Sequence, residues 1–187
     1  FTRTSNRHDY AWAPFSKTAL DSLKDAGLDV IGVGKIPDIF VDQGITRKIK
    51  TVSNEDGMNK TIELASDNFN GLAFINLVDF DAVYGHRRNA AGYGKAIEEF
   101  DVQLGELINE LKNDDLLMVT ADHGNDPTYR GTDHTREQVP LIIYSKQFNE
   151  MKVLNDSNSF GIIGSTICDN FNVKYNGIGS SILELLK

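Results

Sequence analysis

Leu116-Leu117-Met118-Val119-Thr120-Ala121-Asp122-His123-Gly124-Asn125 is an apolar run of strand length that ends abruptly in an Asp-His pair and a glycine. Eleven residues after His123 comes another histidine, inside the polar stretch Gly131-Thr132-Asp133-His134-Thr135-Arg136-Glu137. Carboxylate and imidazole groups mixed on strand-end loops suit a divalent cation such as Mn²⁺ or Zn²⁺. Taken alone, the pair is equally an ordinary strand-to-loop junction, where Asp, His and Gly are common. The surrounding chain decides between the two.

Strand and helix alternate on both sides of this stretch. Ser16 can cap a helix running to Ala26, with Ala19, Leu20 and Leu23 on one face and Gly27 at the stop. Leu28 to Val33 reads as a strand, with Lys35 just beyond it, and residues 38–50 read as loop. A helix starts at Asn54 or Asp56 and reaches about Ala65. Leu72 to Val78 is a near-continuous apolar run, the pattern of a strand covered on both faces in a parallel sheet. Residues 91–112 repeat Ile97, Phe100, Leu104, Leu107, Ile108 and Leu111 at spacings of three and four, a core-facing helical stripe. Strands at 116–119 and 139–144, a helix from Ser159 to Phe171 and a short helix in the tail from Ile178 complete the order. The alternation predicts an α/β fold, a mostly parallel sheet with helices on both faces. No repeat, low-complexity tract or linker interrupts it, so residues 1–187 read as a single domain.

Composition narrows the classes. The 187 residues, 40% hydrophobic and 25% charged, are those of an ordinary globular chain with a sizeable core. A net charge of −8 argues against a nucleic-acid partner, because no basic stripe offsets it. The single cysteine, Cys168, rules out an internal disulfide and fits a reducing cytoplasm. No apolar run approaches the roughly 18 residues of a membrane span, and no signal-peptide pattern opens the sequence. Residues 1–14, with Arg3, Arg7, His8, Tyr10 and Trp12, read as an arm arriving from a longer protein, since the chain starts at Phe1.

A second cluster settles the first. After the strand at 72–78 comes Asp79-Phe80-Asp81-Ala82-Val83-Tyr84-Gly85-His86-Arg87-Arg88. Three of the four histidines therefore stand at expected strand ends beside carboxylates, where open α/β sheets gather functional groups. Asp81, His86, Asp122, His123 and His134 make five candidate ligands. That is too many for one catalytic zinc with three protein ligands. It suits two metals that clamp a transferring phosphoryl group. Two such metals need six or more ligands and a nucleophile, so the chain falls short of a ligand, and no Ser or Thr stands as an obvious nucleophile. Lys35, Arg87, Arg88 and Arg136 could bind phosphate or pair with nearby carboxylates. Asp79 and Asp133 could orient ligand histidines or simply make turns.

Thr120-Ala121-Asp122-His123-Gly124-Asn125-Asp126 with Gly131 to Glu137 resembles the metal core of the alkaline phosphatase superfamily. Together with Asn76 to Asp81, Gly85-His86-Arg87-Arg88 and the opening Phe1 to Tyr10, it resembles the phosphopentomutase family over nearly the whole chain. The resemblance implies an alkaline-phosphatase-like core and two manganese ions. Asp81, His86 and His134 would hold one, and Asp122 and His123 would belong to the other. It implies interconversion of ribose 1-phosphate and ribose 5-phosphate, and of the deoxyribose pair, through a phosphothreonine. The family's N-terminal metal Asp, its Thr nucleophile and its inserted cap domain have no counterpart here. The chain thus corresponds to the C-terminal core portion, expected to be inactive alone and prone to self-association through uncovered apolar surface. Cofactor-independent phosphoglycerate mutase resembles the same core, but there the first Asp and His are four apart, whereas Asp81 and His86 are five apart. A metal-binding domain without turnover is the remaining reading.

Overall fold

The computed structural model describes residues 11–186; the arm's residues 1–10 and Lys187 lie outside the described residues. In chain order the elements are α1 (Ala19–Asp25), β1 (Asp29–Val33), α2 (Ile36–Ile39), β2 (Arg47–Ile49) and α3 (Asn54–Ala65). There follow β3 (Gly71–Ile75), a π-helical segment (Phe80–Gly85), α4 (Ala90–Glu110), β4 (Leu117–Thr120), β5 (Leu141–Tyr144), α5 (Gly161–Asn170) and a 3-10 turn (Leu183–Leu185). They gather into two compact units, and the chain passes between them after Val52, Asp67, Asn76 and Asn149.

The first unit is built on a parallel sheet of order β2-β1-β3, with Ile31 opposite both Arg47 and Ala73. Val30, Ile31 and Val33 of its central strand are all buried, which is what a parallel strand covered on both faces requires. Leu20 and Leu23 of α1 pack with Val30, Ile36, Ile45 and Cys168 of α5. Each such aliphatic side chain contributes about 1.5–3 kcal/mol by leaving water. Cys168 is one of these core residues, and burial pushes its thiol pKa up. The cap of α1 is Thr18, not Ser16. Thr18 Oγ1 accepts from the Asp21 amide, while Asp21 accepts from the Thr18 amide at 2.7 Å, a reciprocal box that Ser16 has no partner to make.

The second unit holds α3 packed on α4, the π-helical segment, and the β4–β5 pair. Ser53 caps α3, and Asp79 grips its first residue: the Asn54 amide donates to Asp79 Oδ2 at 2.7 Å, and the Asp79 amide donates back to Asn54 Oδ1 at 2.9 Å. On α4 the apolar face is turned slightly from the expected one. Ala96 is buried and Ile97 is 49% exposed, while Tyr93 and Phe100 enclose the Phe80 ring.

The α/β class with a parallel sheet is therefore present, with three departures. β4 and β5 run antiparallel, Leu117 opposite Tyr144 and Thr120 opposite Leu141, because the 121–140 connection contains no helix to carry the chain back for a parallel return. Residues 38–50 contain β2, and α2 ends among them at Ile39. The strand after Gly71 ends at Ile75, and the tail from Ile178 forms only the 3-10 turn.

Candidate metal centre

The second unit brings Asp81, His86 and His134 together; one ligand atom from each lies within 4.8 Å of the others. Local helix geometry explains how two residues five apart in sequence can meet. On an α-helix they would be separated by about 140° around the axis. Here the segment Phe80–Gly85 is π-helical, and the His86 amide donates to the Asp81 carbonyl at 2.9 Å, closing a five-residue turn. Wider turns of this kind recur at functional sites. His134 arrives from the long connection between β4 and β5, where Gly124 pairs with Thr135 as a single bridge.

The donor geometry suits a cation. His86 Nε2 stands 3.4 Å from Asp81 Oδ2, His134 Nε2 stands 3.3 Å from Asp81 Oδ1, and the two imidazole nitrogens are 3.1 Å apart. Adjacent ligands of an ion bound at about 2.1 Å are separated by roughly 3.0–3.4 Å. His86 Nδ1 lies 2.5 Å from the Thr132 carbonyl. In the tautomer that donates there from Nδ1, Nε2 is an acceptor facing the other two groups, the arrangement that orients metal-bound imidazoles. Two ring nitrogens this close need a shared proton or a cation between them. The three side chains are 35–46% exposed, so the cluster is open to solvent and to a further ligand.

Other polar groups surround it. Asn125 Nδ2 donates to Asp81 Oδ1 at 2.7 Å, and the Asn125 side-chain oxygen accepts from Arg88 Nη1 at 2.7 Å. Gly85 makes the room, since a Cβ there would lie 2.5 Å from Asn125 Nδ2. A Cβ on Gly124 would likewise fall 1.9 Å from the Glu137 carboxylate, which accepts from the Thr135 hydroxyl. Burial, and then the Asp81 charge, push the Tyr93 phenol pKa up. The Thr128 hydroxyl and amide, with a smaller contribution from Arg88, hold the Asp126 carboxyl below the usual range.

His123 stacks on His134, ring centroids 3.7 Å apart and 19° from parallel, and its Nε2 lies 3.6 Å from Asp122 Oδ2. Asp122 is 76% exposed. These two border the three-residue cluster without joining it. Arg87 and Arg136 are exposed in the same unit, and Lys35 lies in the other unit at the N-cap of α2. The Arg88 guanidinium donates to the carbonyls of Gly131, Gly85, Asp126 and Asp133 as well as to the Asn125 side chain, so protein oxygens take up its fork. Asp79 serves α3, and the Thr132 carbonyl, not Asp133, orients His86. Thr120 is exposed, its hydroxyl donating to the Pro140 carbonyl at 2.8 Å. Asn125 carries no expected role, although it directly follows Asp122-His123-Gly124. Its signal was a polar side chain in the one turn where two loops had to meet.

The family model of the metalloenzyme superfamily matches residues 2–175. Among solved structures, the chain resembles the phosphoglycerate mutase of Leishmania mexicana, crystallised at low cobalt concentration, with a TM-score of 0.65 and 16% identity. That match covers 90% of this chain and 39% of the other. It also resembles the PH0037 protein of Pyrococcus horikoshii, with a TM-score of 0.53 and 19% identity over 66% of this chain and 34% of that one. The chain thus spans well under half the length of each. Among the described residues, no helix is long and apolar enough to cross a membrane.

Proposed function

The chain belongs to the metalloenzyme superfamily, and we propose that it is the metal-holding core portion of a phosphopentomutase. Convergence of Asp81, His86 and His134 on one space, at the separations of metal ligands, is the observation that carries this reading. In it these residues hold one manganese, and Asp122 and His123 contribute to a second. Bound there, the ions would lower the pKa of an attacking hydroxyl and offset charge on the transferring oxygens. Arg87 and Arg136 bind the phosphates of the substrate. A longer protein would supply the last metal Asp and the Thr that carries the phosphoryl group between the 1- and 5-positions of ribose or deoxyribose. Residues 1–187 form a single domain of that cytoplasmic protein, with no nucleic-acid or membrane partner. The chain by itself binds metal, self-associates and does not turn over.

The full-length protein, loaded with manganese, is to be offered ribose 1-phosphate and phosphoglycerates in parallel. Conversion of the pentose phosphate alone is expected. The likeness to a phosphoglycerate mutase fold favours the rival assignment, and turnover of phosphoglycerates alone would establish it. Against that rival stands the five-residue interval between Asp81 and His86. Turnover of ribose 1-phosphate by the 187-residue chain would refute its proposed inactivity.

A further inference from the structure

We propose that Asn125 and Arg88 are positioning residues of the Asp81/His86/His134 centre, acting as one relay that fixes the Asp81 carboxylate and pins the 126–133 loop beside it. The inference rests on the metal reading above.

The orientation of the Asn125 amide is dictated by its neighbours. A carboxylate offers only acceptors and a guanidinium only donors, so the nitrogen must face Asp81 and the oxygen Arg88. A side chain in this place must donate at one end and accept at the other. Asp loses the donor, and Leu loses both. Asn125 is 8% exposed, and Gly85 gives up its own side chain to admit it. The amide therefore meets one oxygen of Asp81 at 2.7 Å while His134 approaches the same oxygen and His86 the other. Fixing that oxygen fixes the plane of the carboxylate against both imidazoles.

Arg88 extends the relay into the second loop. Besides Asn125, it donates to the Asp126 carbonyl at 2.7 Å, to the Gly131 carbonyl and to the Asp133 carbonyl at 2.6 Å. These acceptors lie along the loop and end one residue before His134. Its fifth acceptor, the Gly85 carbonyl at 3.2 Å, lies one residue before His86. One guanidinium thus ties together the backbones that deliver both histidines. Arg88 does so from a left-handed backbone conformation, φ 53°, which a non-glycine residue adopts only where its surroundings over-determine it. Lys has three donors on a point charge and cannot span that fork.

The test is calorimetric titration of the chain with Mn²⁺, for wild type, Asn125→Leu, Arg88→Met and the double variant. Thermal unfolding without metal and the electron paramagnetic resonance spectrum of the bound ion are recorded alongside. Each single variant is expected to bind about 10–100-fold more weakly, the usual effect of removing a partner that orients a ligand. The double variant should fall little further, since either substitution breaks the same chain. At saturation the spectrum of bound manganese should differ from wild type, because the ligand geometry has changed. Should Arg88→Met or Asn125→Leu fail to fold, Arg88→Lys and Asn125→Ala take their places, with weakened affinity again expected. A variant that melts earlier yet keeps wild-type affinity and spectrum would make the relay merely structural and overturn the inference alone. Wild type binding no manganese would overturn the metal reading, and the relay with it.

Discussion

Replacing Gly85 by alanine perturbs the centre without touching a ligand. The new Cβ would stand 2.5 Å from Asn125 Nδ2 and 2.7 Å from its Cγ, where ordinary contact begins at 3.4 Å. The amide must therefore retreat by roughly 1 Å, which stretches its 2.7 Å bond to Asp81 beyond hydrogen-bonding range. Losing a hydrogen bond to a charged group costs about 1.5–3 kcal/mol. Alanine returns about 0.5–1 kcal/mol by restricting the unfolded chain more than glycine does. Gly85 has no left-handed backbone to oppose the change. The net destabilisation is about 1–2 kcal/mol, or a Tm lowered by about 2–8 °C for a chain of this size. Manganese affinity should fall by about tenfold or more. Denaturant unfolding without metal gives the first quantity and calorimetry the second. The cycle with Asn125→Ala sharpens the test: once the amide is gone, adding Gly85→Ala should lose little further affinity. A Gly85→Ala protein with wild-type stability and affinity would refute the packing argument, and additive losses in the double variant would refute the shared cause.

The remaining predictions are shorter. Saturating manganese at 100 times Kd should stabilise the wild-type chain by about 2.7 kcal/mol; His134→Ala should abolish that rise in Tm, whereas Asp122→Ala, outside the three-residue cluster, should keep it. At the start of α1, burial pushes the Asp21 carboxyl up, but hydrogen bonds from Thr18 and Gln43 and the charge of Lys17 outweigh it and hold the group below its usual range. Its stabilisation is therefore present above the unfolded value of about 3.9 and is lost as pH falls through the lower folded value. Acid titration of stability should show this loss in wild type and not in Asp21→Asn. Thr18→Ala should cost about 1 kcal/mol at neutral pH by removing the cap. Finally, because the chain crosses between its two units four times, neither unit is one continuous segment. Thermal unfolding should show one calorimetric transition, and two resolved transitions would contradict the single-domain proposal.

What could be read from the sequence, and what could not, divides along the range of the interactions involved. The apolar runs around Val30, Ala73 and Met118 announce strands because burial acts on each side chain where it stands. Arg47-Lys48-Ile49 does not announce one: as an edge strand bonded only to β1, it keeps two charged side chains in water and reads as loop. The convergence of Asp81, His86 and His134 was hinted at, since three of the four histidines stand beside carboxylates at expected strand ends. Their support was not. Nothing in the alphabet of Phe80 to Gly85 marks a π-helix; only the interval of five between Asp81 and His86 hints that an ordinary helix would turn them apart. Arg88 satisfies carbonyls up to 45 residues away, and carbonyls are the one acceptor every residue carries, so no pattern of side chains could forecast where that fork would settle. Asn125 is the intermediate case. Its neighbours in sequence are ligand candidates, but its function depends on a missing Cβ forty residues earlier, and a glycine shows what it permits only when the structure shows what has moved into its place.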